Sequence, residues 1–223
     1  NFVPGYDPDG SAPAGQTITG TEDDDALTGT IGGDTIDGLG GNDLVFGQAG
    51  ADQINGGDGF DYLFGDADND VLDGGNNDDS LFGGDGDDQL FGGADTDYLS
   101  GENGDDQLSG GDGDDFLTGG DGADTFSFQS ALNGPDEITD FTSGTDTIQV
   151  SASGFGGGLT AGGTVSLVSG ADPTASAATG QFLFDTDDGR LFWDADGTGG
   201  GEAVLFATLS NIPSLATSDF AVI

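Results

Sequence analysis

The sequence predicts an all-β fold. A right-handed parallel β-roll over residues 20–127 is preceded by a linker, 1–19, and followed by a β-rich C-terminal cap module, 128–223. Three observations predict it: a nine-residue repeat that holds its phase through twelve units, 46 glycines among 223 residues, and a tail of short strand-like segments set between turn residues.

The linker opens NFVPGYDPDGSAPAG, polar and without the charged and apolar regions of a signal peptide. With no Met anywhere, the chain reads as part of a longer one, and any catalytic activity of the parent is expected upstream of Asn1.

In the array, Gly stands at every ninth residue from Gly20 to Gly119. Five residues after each Gly comes an aspartate: Asp25, Asp34, Asp43, Asp52, Asp61, Asp70, Asp79, Asp88, Asp97, Asp106, Asp115 and Asp124. Two residues further on is an apolar side chain, from Leu27 to Phe126. Units such as GGDGDDQLF and GGDGDDFLT resemble the hemolysin-type, repeats-in-toxin (RTX) nonapeptide G-G-x-G-x-D-x-U-x, a calcium-binding repeat. The resemblance covers about half the chain and implies a calcium-bound solenoid.

The spacing has its own physical logic. Six residues rich in Gly make a tight turn that visits positive φ and aims carbonyl oxygens inward. Three residues x-U-x then make a minimal strand with U pointing to one face. Two units complete one coil, so alternate units stack about 4.8 Å apart and the aspartates split into two columns. One holds Asp25, Asp43, Asp61, Asp79, Asp97 and Asp115; the other holds Asp34, Asp52, Asp70, Asp88, Asp106 and Asp124. Between stacked turns, carboxylates and backbone carbonyls offer the hard oxygens that calcium prefers over the smaller magnesium. Five gaps per column give about ten calcium ions, which would leave a formal charge of about −22.

Turns with Asp23, Asp68, Asn77 or Asp95 at the fourth position must hold a side chain at a strained angle. The second position departs from Gly at Thr21, Thr30, Leu39, Gln48, Asp66 and Glu102. The cleanest sites are therefore expected around Asp88, Asp106 and Asp124 and around Asp97 and Asp115, and the first two units fit the pattern least.

Charge excludes several functions. Against 43 Asp+Glu there is one basic residue, Arg190, for a formal net charge of −42. Nucleic acid and anionic lipid need clustered Lys/Arg, so neither is an expected partner. The absence of Cys and His removes thiolate and imidazole chemistry, and this stretch is expected to be no enzyme. The longest apolar run, Ala203–Ala207, is far below the roughly 20 residues that cross a bilayer, so no membrane insertion is expected.

In the tail, strands are expected over 136–141, 146–151, 164–168, 181–185, 190–194 and 203–209, with no helix. A solenoid needs such a module to cover its last core residues and strand edges. GGDGADTFSF with DEITDFTSGTDTIQVS resembles the segment that closes the array in serralysin-type proteases. Asp219–Ile223, an acid before an apolar end, reads either as a terminal strand or as the type I secretion signal of that family. Asp194-Ala-Asp196-Gly197 reads either as a hairpin turn or as a peripheral calcium position held by Asp194 and Asp196.

Outward positions differ between the two columns. Odd units present Leu44, Phe46, Tyr62, Phe64, Phe82, Tyr98 and Phe116, whereas even units are mostly polar. A band this apolar is expected to be covered, by the C-terminal module folding back, a partner protein or a second copy; the alternative is that its aromatic rings merely stack on one another along adjacent parallel strands.

These readings imply a calcium-binding module of a secreted, extracellular or cell-surface protein of a Gram-negative bacterium. It would fold on extracellular calcium, and its C-terminus would engage type I secretion machinery. The alternative is an extracellular structural, surface-layer or adhesin segment that uses the roll for assembly. The two differ in whether calcium makes the chain alone polymerise or bind cells.

Overall fold

The computed structural model describes residues 14–223; residues 1–13 of the expected linker lie outside them. The roll is built from β1 (Thr17–Thr19), β2 (Ala26–Thr28), β3 (Thr35–Gly40), β4 (Leu44–Ala49), β5 (Gln53–Asp58), β6 (Tyr62–Ala67) and β7 (Val71–Asn76). It continues with β8 (Ser80–Asp85), β9 (Gln89–Ala94), β10 (Tyr98–Asn103), β11 (Gln107–Asp112), β12 (Phe116–Asp121) and β13 (Thr125–Phe128). Beyond it come β14 (Asp136–Ile138), β15 (Thr147–Val150), α1 (Ala152–Phe155), β16 (Leu167–Gly170), β17 (Gln181–Asp185), β18 (Arg190–Asp194), β19 (Val204–Leu209) and β20 (Phe220–Val222).

Two sheets, parallel throughout the roll, face each other. Nine strands stack as β1-β3-β5-β7-β9-β11-β13-β15-β20, and eleven as β16-β17-β18-β19-β14-β12-β10-β8-β6-β4-β2. Their register pairs residues eighteen apart, as in Leu63 with Leu81 and Leu72 with Leu90, so odd and even units separate onto the two sheets. From β3 to β12 the third residue of the x-U-x triplet does not end the strand: these ten strands are six residues long and run into the first three positions of the next unit.

The U column makes the core. Ile36, Val45, Ile54, Leu63 and their successors to Phe126 are at most 2% exposed, and only Leu27 at the open end is partly covered. Each side chain stacks on the same position one coil away, which is why one apolar residue in nine suffices.

The pairing passes residue 127 without a break, because β14 joins β12 and β15 joins β13. On one sheet β19 extends β14 in parallel and leads into the antiparallel pairs β18–β19 and β17–β18. On the other, β20 pairs with β15, so Asp219–Ile223 does finish a sheet. Five of the six tail segments expected as strands contain one, and the sixth, 164–168, overlaps β16 only at Leu167 and Val168. The expectation of no helix is corrected by α1, a single turn whose Ser151 Oγ accepts from Gly154 N–H at 3.4 Å, and by a 3₁₀ turn at Thr217–Asp219. Around α1, Phe155, Phe182, Trp193 and Phe206 close the end of the core, and Trp193 Nε1–H donates to the Phe155 carbonyl at 2.8 Å.

Leu90→Ala should test the column. Fully buried in mid-roll, the site has no second layer to collapse onto it, and a loss of about 2–5 kcal/mol is expected in denaturant unfolding with calcium present. A loss below about 1 kcal/mol would mean that the column is not the main core.

Candidate metal centre

Each repeat aspartate sits between the end of a turn and the start of a strand, and its carboxylate points back under its own loop. Its first oxygen is used by the neighbouring coil. Asp43 N–H donates to Asp61 Oδ1 at 2.8 Å, and Asp61, Asp79 and Asp97 N–H donate likewise to Asp79, Asp97 and Asp115 Oδ1. The even column repeats the pattern from Asp34 to Asp124. The expected two columns are thus continuous hydrogen-bonded files.

The second oxygen is different. Oδ2 of Asp43, Asp52, Asp61, Asp70, Asp79, Asp88, Asp97, Asp106 and Asp115 is buried and has no hydrogen-bond partner. These residues are at most 3% exposed. An unsatisfied buried carboxylate oxygen is among the most costly groups a fold can hold, unless a cation completes it.

The loop leaves room for one. A methyl group built on Gly74 would lie 2.5 Å from Asp79 Oδ2 and 2.6 Å from the carbonyl oxygen of Gly92, one coil on. The first-position glycine therefore keeps open a space into which one carboxylate and one backbone carbonyl face, and the same arrangement recurs at Gly38, Gly56 and Gly65. No three acidic side chains gather at one point among the described residues. The donor set is one of carboxylates supplemented by backbone carbonyls, all hard oxygens, and it fits calcium.

Backbone geometry sets this up. The fourth position is left-handed from Gly41 onward, and Asp68, Asn77 and Asp95 pay the expected strain at φ 75–77°, whereas Asp23, expected to share it, does not have a positive φ. The second position is left-handed too: Leu39, Gln48, Asp66 and Glu102 lie at φ 73–83° alongside Gly57, Gly75 and Gly84. The doubled glycine of the repeat is the sequence signal for that.

The open carboxylate oxygens are not confined to the C-terminal half, where the turn sequences placed the cleanest sites. The orphaned oxygens begin at Asp43 and end at Asp115. In the first two units the carboxylates are held by their own loops, with Thr21 N–H donating to Asp25 Oδ2 at 2.6 Å and Thr30 N–H to Asp34 Oδ2 at 2.5 Å.

Two aspartates that the periodicity missed extend the columns. Asp115 N–H donates to Asp136 Oδ1 at 3.3 Å, and Asp124 N–H to Asp146 Oδ1 at 3.1 Å. Gly134-Pro-Asp136-Glu-Ile138 and Gly144-Thr-Asp146-Thr-Ile148 keep the G-x-D-x-U half of the repeat, displaced by longer connections. Asp194 and Asp196 serve their own turn: Asp194 Oδ1 accepts from Gly197 N–H at 2.8 Å, and Asp196 Oδ2 from Gly201 N–H at 3.1 Å.

The apolar band is not covered by the C-terminal module. That module adds in line at the end of the sheet, where unpaired strand edges draw it, and Tyr62 stays 53% and Phe116 44% exposed. Phe46, Phe64 and Phe82 are half-buried by one another, stacked at 5.0 and 4.9 Å. Leu44 and Tyr98 are exposed.

Burial pushes the carboxyls from Asp43 to Asp124 upward, with like charges adding and the hydrogen bond from the preceding coil opposing. Asp97 is pushed up to about 8, Asp70, Asp79 and Asp106 to about 7, and Asp52 and Asp88 to about 6. A carboxyl whose folded value is raised binds protons better folded than unfolded. Its stabilisation is therefore complete in acid and lost as pH rises through about 6–8. With calcium chelated, the β signal in circular dichroism should be larger at pH 5 than at pH 8; an equal or smaller signal at pH 5 would contradict the buried file.

A family model for the RTX calcium-binding nonapeptide repeat, in four copies, matches residues 19–54, 46–81, 55–90, 64–99, 73–108 and 91–126. No curated protein matches the chain. Among solved structures, the AlgE6R3 subunit from the Azotobacter vinelandii mannuronan C5-epimerase is similar at 26% identity and a TM-score of 0.33, over 70% of this chain and 78% of that one.

Proposed function

Since this chain is an RTX calcium-binding repeat protein, we propose that its two aspartate files are the calcium ligands and that calcium makes its folding conditional on location. The observation that carries the proposal is the set of nine buried, partnerless Oδ2 atoms. Asp43 to Asp115 would hold the ions, with Asp124 beside them and with carbonyls such as that of Gly92 completing the set. About ten ions remains the expected number.

Bound calcium supplies positive charge where the fold concentrates negative charge, so metal affinity becomes folding free energy. Without it, a net charge of −42 and the glycine content oppose compaction. In a calcium-poor cytosol the chain would stay extended and exportable, and in a calcium-rich exterior it would fold. A role in type I export from a Gram-negative cell follows from that difference. The acid-apolar segment Asp219–Ile223 is the proposed signal.

Circular dichroism tests the calcium reading. EGTA should leave the chain largely disordered, and millimolar calcium, but not magnesium, should restore the β signal cooperatively; a spectrum indifferent to calcium would refute metal-coupled folding. Asp106→Ala should raise the calcium midpoint more than Asp25→Ala, because Asp106 Oδ2 is orphaned and Asp25 Oδ2 already has a donor. Equal shifts would argue against the file as the ligand set.

Export has its own test. Removing Asp219–Ile223 should abolish secretion from a host carrying a type I system, whereas Asp43→Ala should leave secretion intact and impair folding outside. Unchanged secretion of the shortened chain would place the signal elsewhere.

A further inference from the structure

Three loops differ from the rest in a way that neither the repeat pattern nor the family match assigns. At the second loop position, four residues before the aspartate, Thr21, Thr30 and Thr142 keep ordinary negative-φ backbone, whereas every second-position residue from Leu39 to Gly120 is left-handed. All three threonines direct their amide onto the loop's own carboxylate: Thr21 to Asp25 Oδ2 at 2.6 Å, Thr30 to Asp34 Oδ2 at 2.5 Å and Thr142 to Asp146 Oδ2 at 2.7 Å. The first two add their hydroxyls, Thr21 Oγ1 to Asp25 Oδ2 at 2.9 Å and Thr30 Oγ1 to Asp34 Oδ2 at 3.1 Å.

Where the second position is left-handed, the amide leaves the carboxylate. In mid-roll the strand continues through this position, as where Leu39 pairs with Gly57 and Gln48 with Asp66. Gly120 gives its amide to Asp140 Oδ2 instead of to Asp124. From Asp43 to Asp115 the result is the orphaned Oδ2.

Residue type explains the division. A β-branched side chain is a poor occupant of the left-handed region, and threonine holds the backbone where its amide turns inward. Gly, Asp, Gln, Glu and Leu tolerate the left-handed turn better.

We propose that the second residue of each loop decides whether that loop takes calcium. A left-handed residue leaves Oδ2 open to the ion, and threonine fills the same coordination position with the chain's own N–H. The inference rests on the aspartate files being the calcium ligands. It makes the loops of Asp25, Asp34 and Asp146 self-capped ends that flank a metal-binding interior.

Calcium bound per chain at saturation, measured by equilibrium dialysis with elemental analysis, tests it in the full chain. Gln48→Thr should lose about one ion by closing the loop of Asp52, and Gln48→Gly at the same position should lose none. Thr30→Gly should gain about one ion by opening Asp34, a gain that misfolding would not produce. Equal stoichiometry in the wild type, Gln48→Thr and Thr30→Gly would overturn the inference while leaving the calcium reading intact. A wild-type chain that binds no calcium would instead overturn the reading beneath it.

Discussion

A single contact repeats along this molecule: the amide of one repeat aspartate donates to the carboxylate of the aspartate one coil further on, as from Asp43 to Asp61 at 2.8 Å. It fixes the carboxylate's orientation, because one oxygen is claimed from outside the loop and the other is left facing the space the first glycine keeps open. Everything costly about the fold follows from that placement. Two files of like-charged groups run through a narrow solenoid, and from Asp43 to Asp115 their second oxygens are buried without a partner and burial raises their pKa values. On the proposed calcium reading, cations would complete the fold and offset the negative charge that the two files concentrate.

Glycine works here in two distinct ways. At the first position it is steric absence, since a Cβ on Gly74 would collide with Asp79 Oδ2 and the Gly92 carbonyl. At the second and fourth positions it is backbone freedom, which Asp68, Asn77, Asp95 and Glu102 imitate at φ 74–77°. Each such residue costs of order 1 kcal/mol. Repetition across many coils makes that tolerable, because every turn is braced by an identical turn above and below it.

Strict periodicity made the roll, its two sheets and its core column legible in the sequence, since Leu63, Leu72 and Leu81 can share a core only if alternate units stack. The length of the strands was not legible, because the residues that extend them are glycines and acids with no strand preference of their own. Asp136 and Asp146 fall outside the nine-residue step, because the connections before them lengthen while their local pattern survives. Of the coverings that the apolar band suggested, only the C-terminal module is excluded, because its direction is set by the unpaired edges of β12 and β13, which draw β14 and β15 into line.

The two-column register also bears on how such an array changes in length. Because the contacts join residues eighteen apart, a duplication or loss of eighteen residues returns every downstream strand to its own sheet, with the same amide and carboxylate waiting for it. An event of nine residues would exchange the sheets for everything that follows. Phe64 and Phe82 would pass to the polar side, and β14 and β15 would meet the wrong edges. Selection on array length should therefore favour whole coils over single repeats, and relatives of this chain should differ by even numbers of nonapeptides.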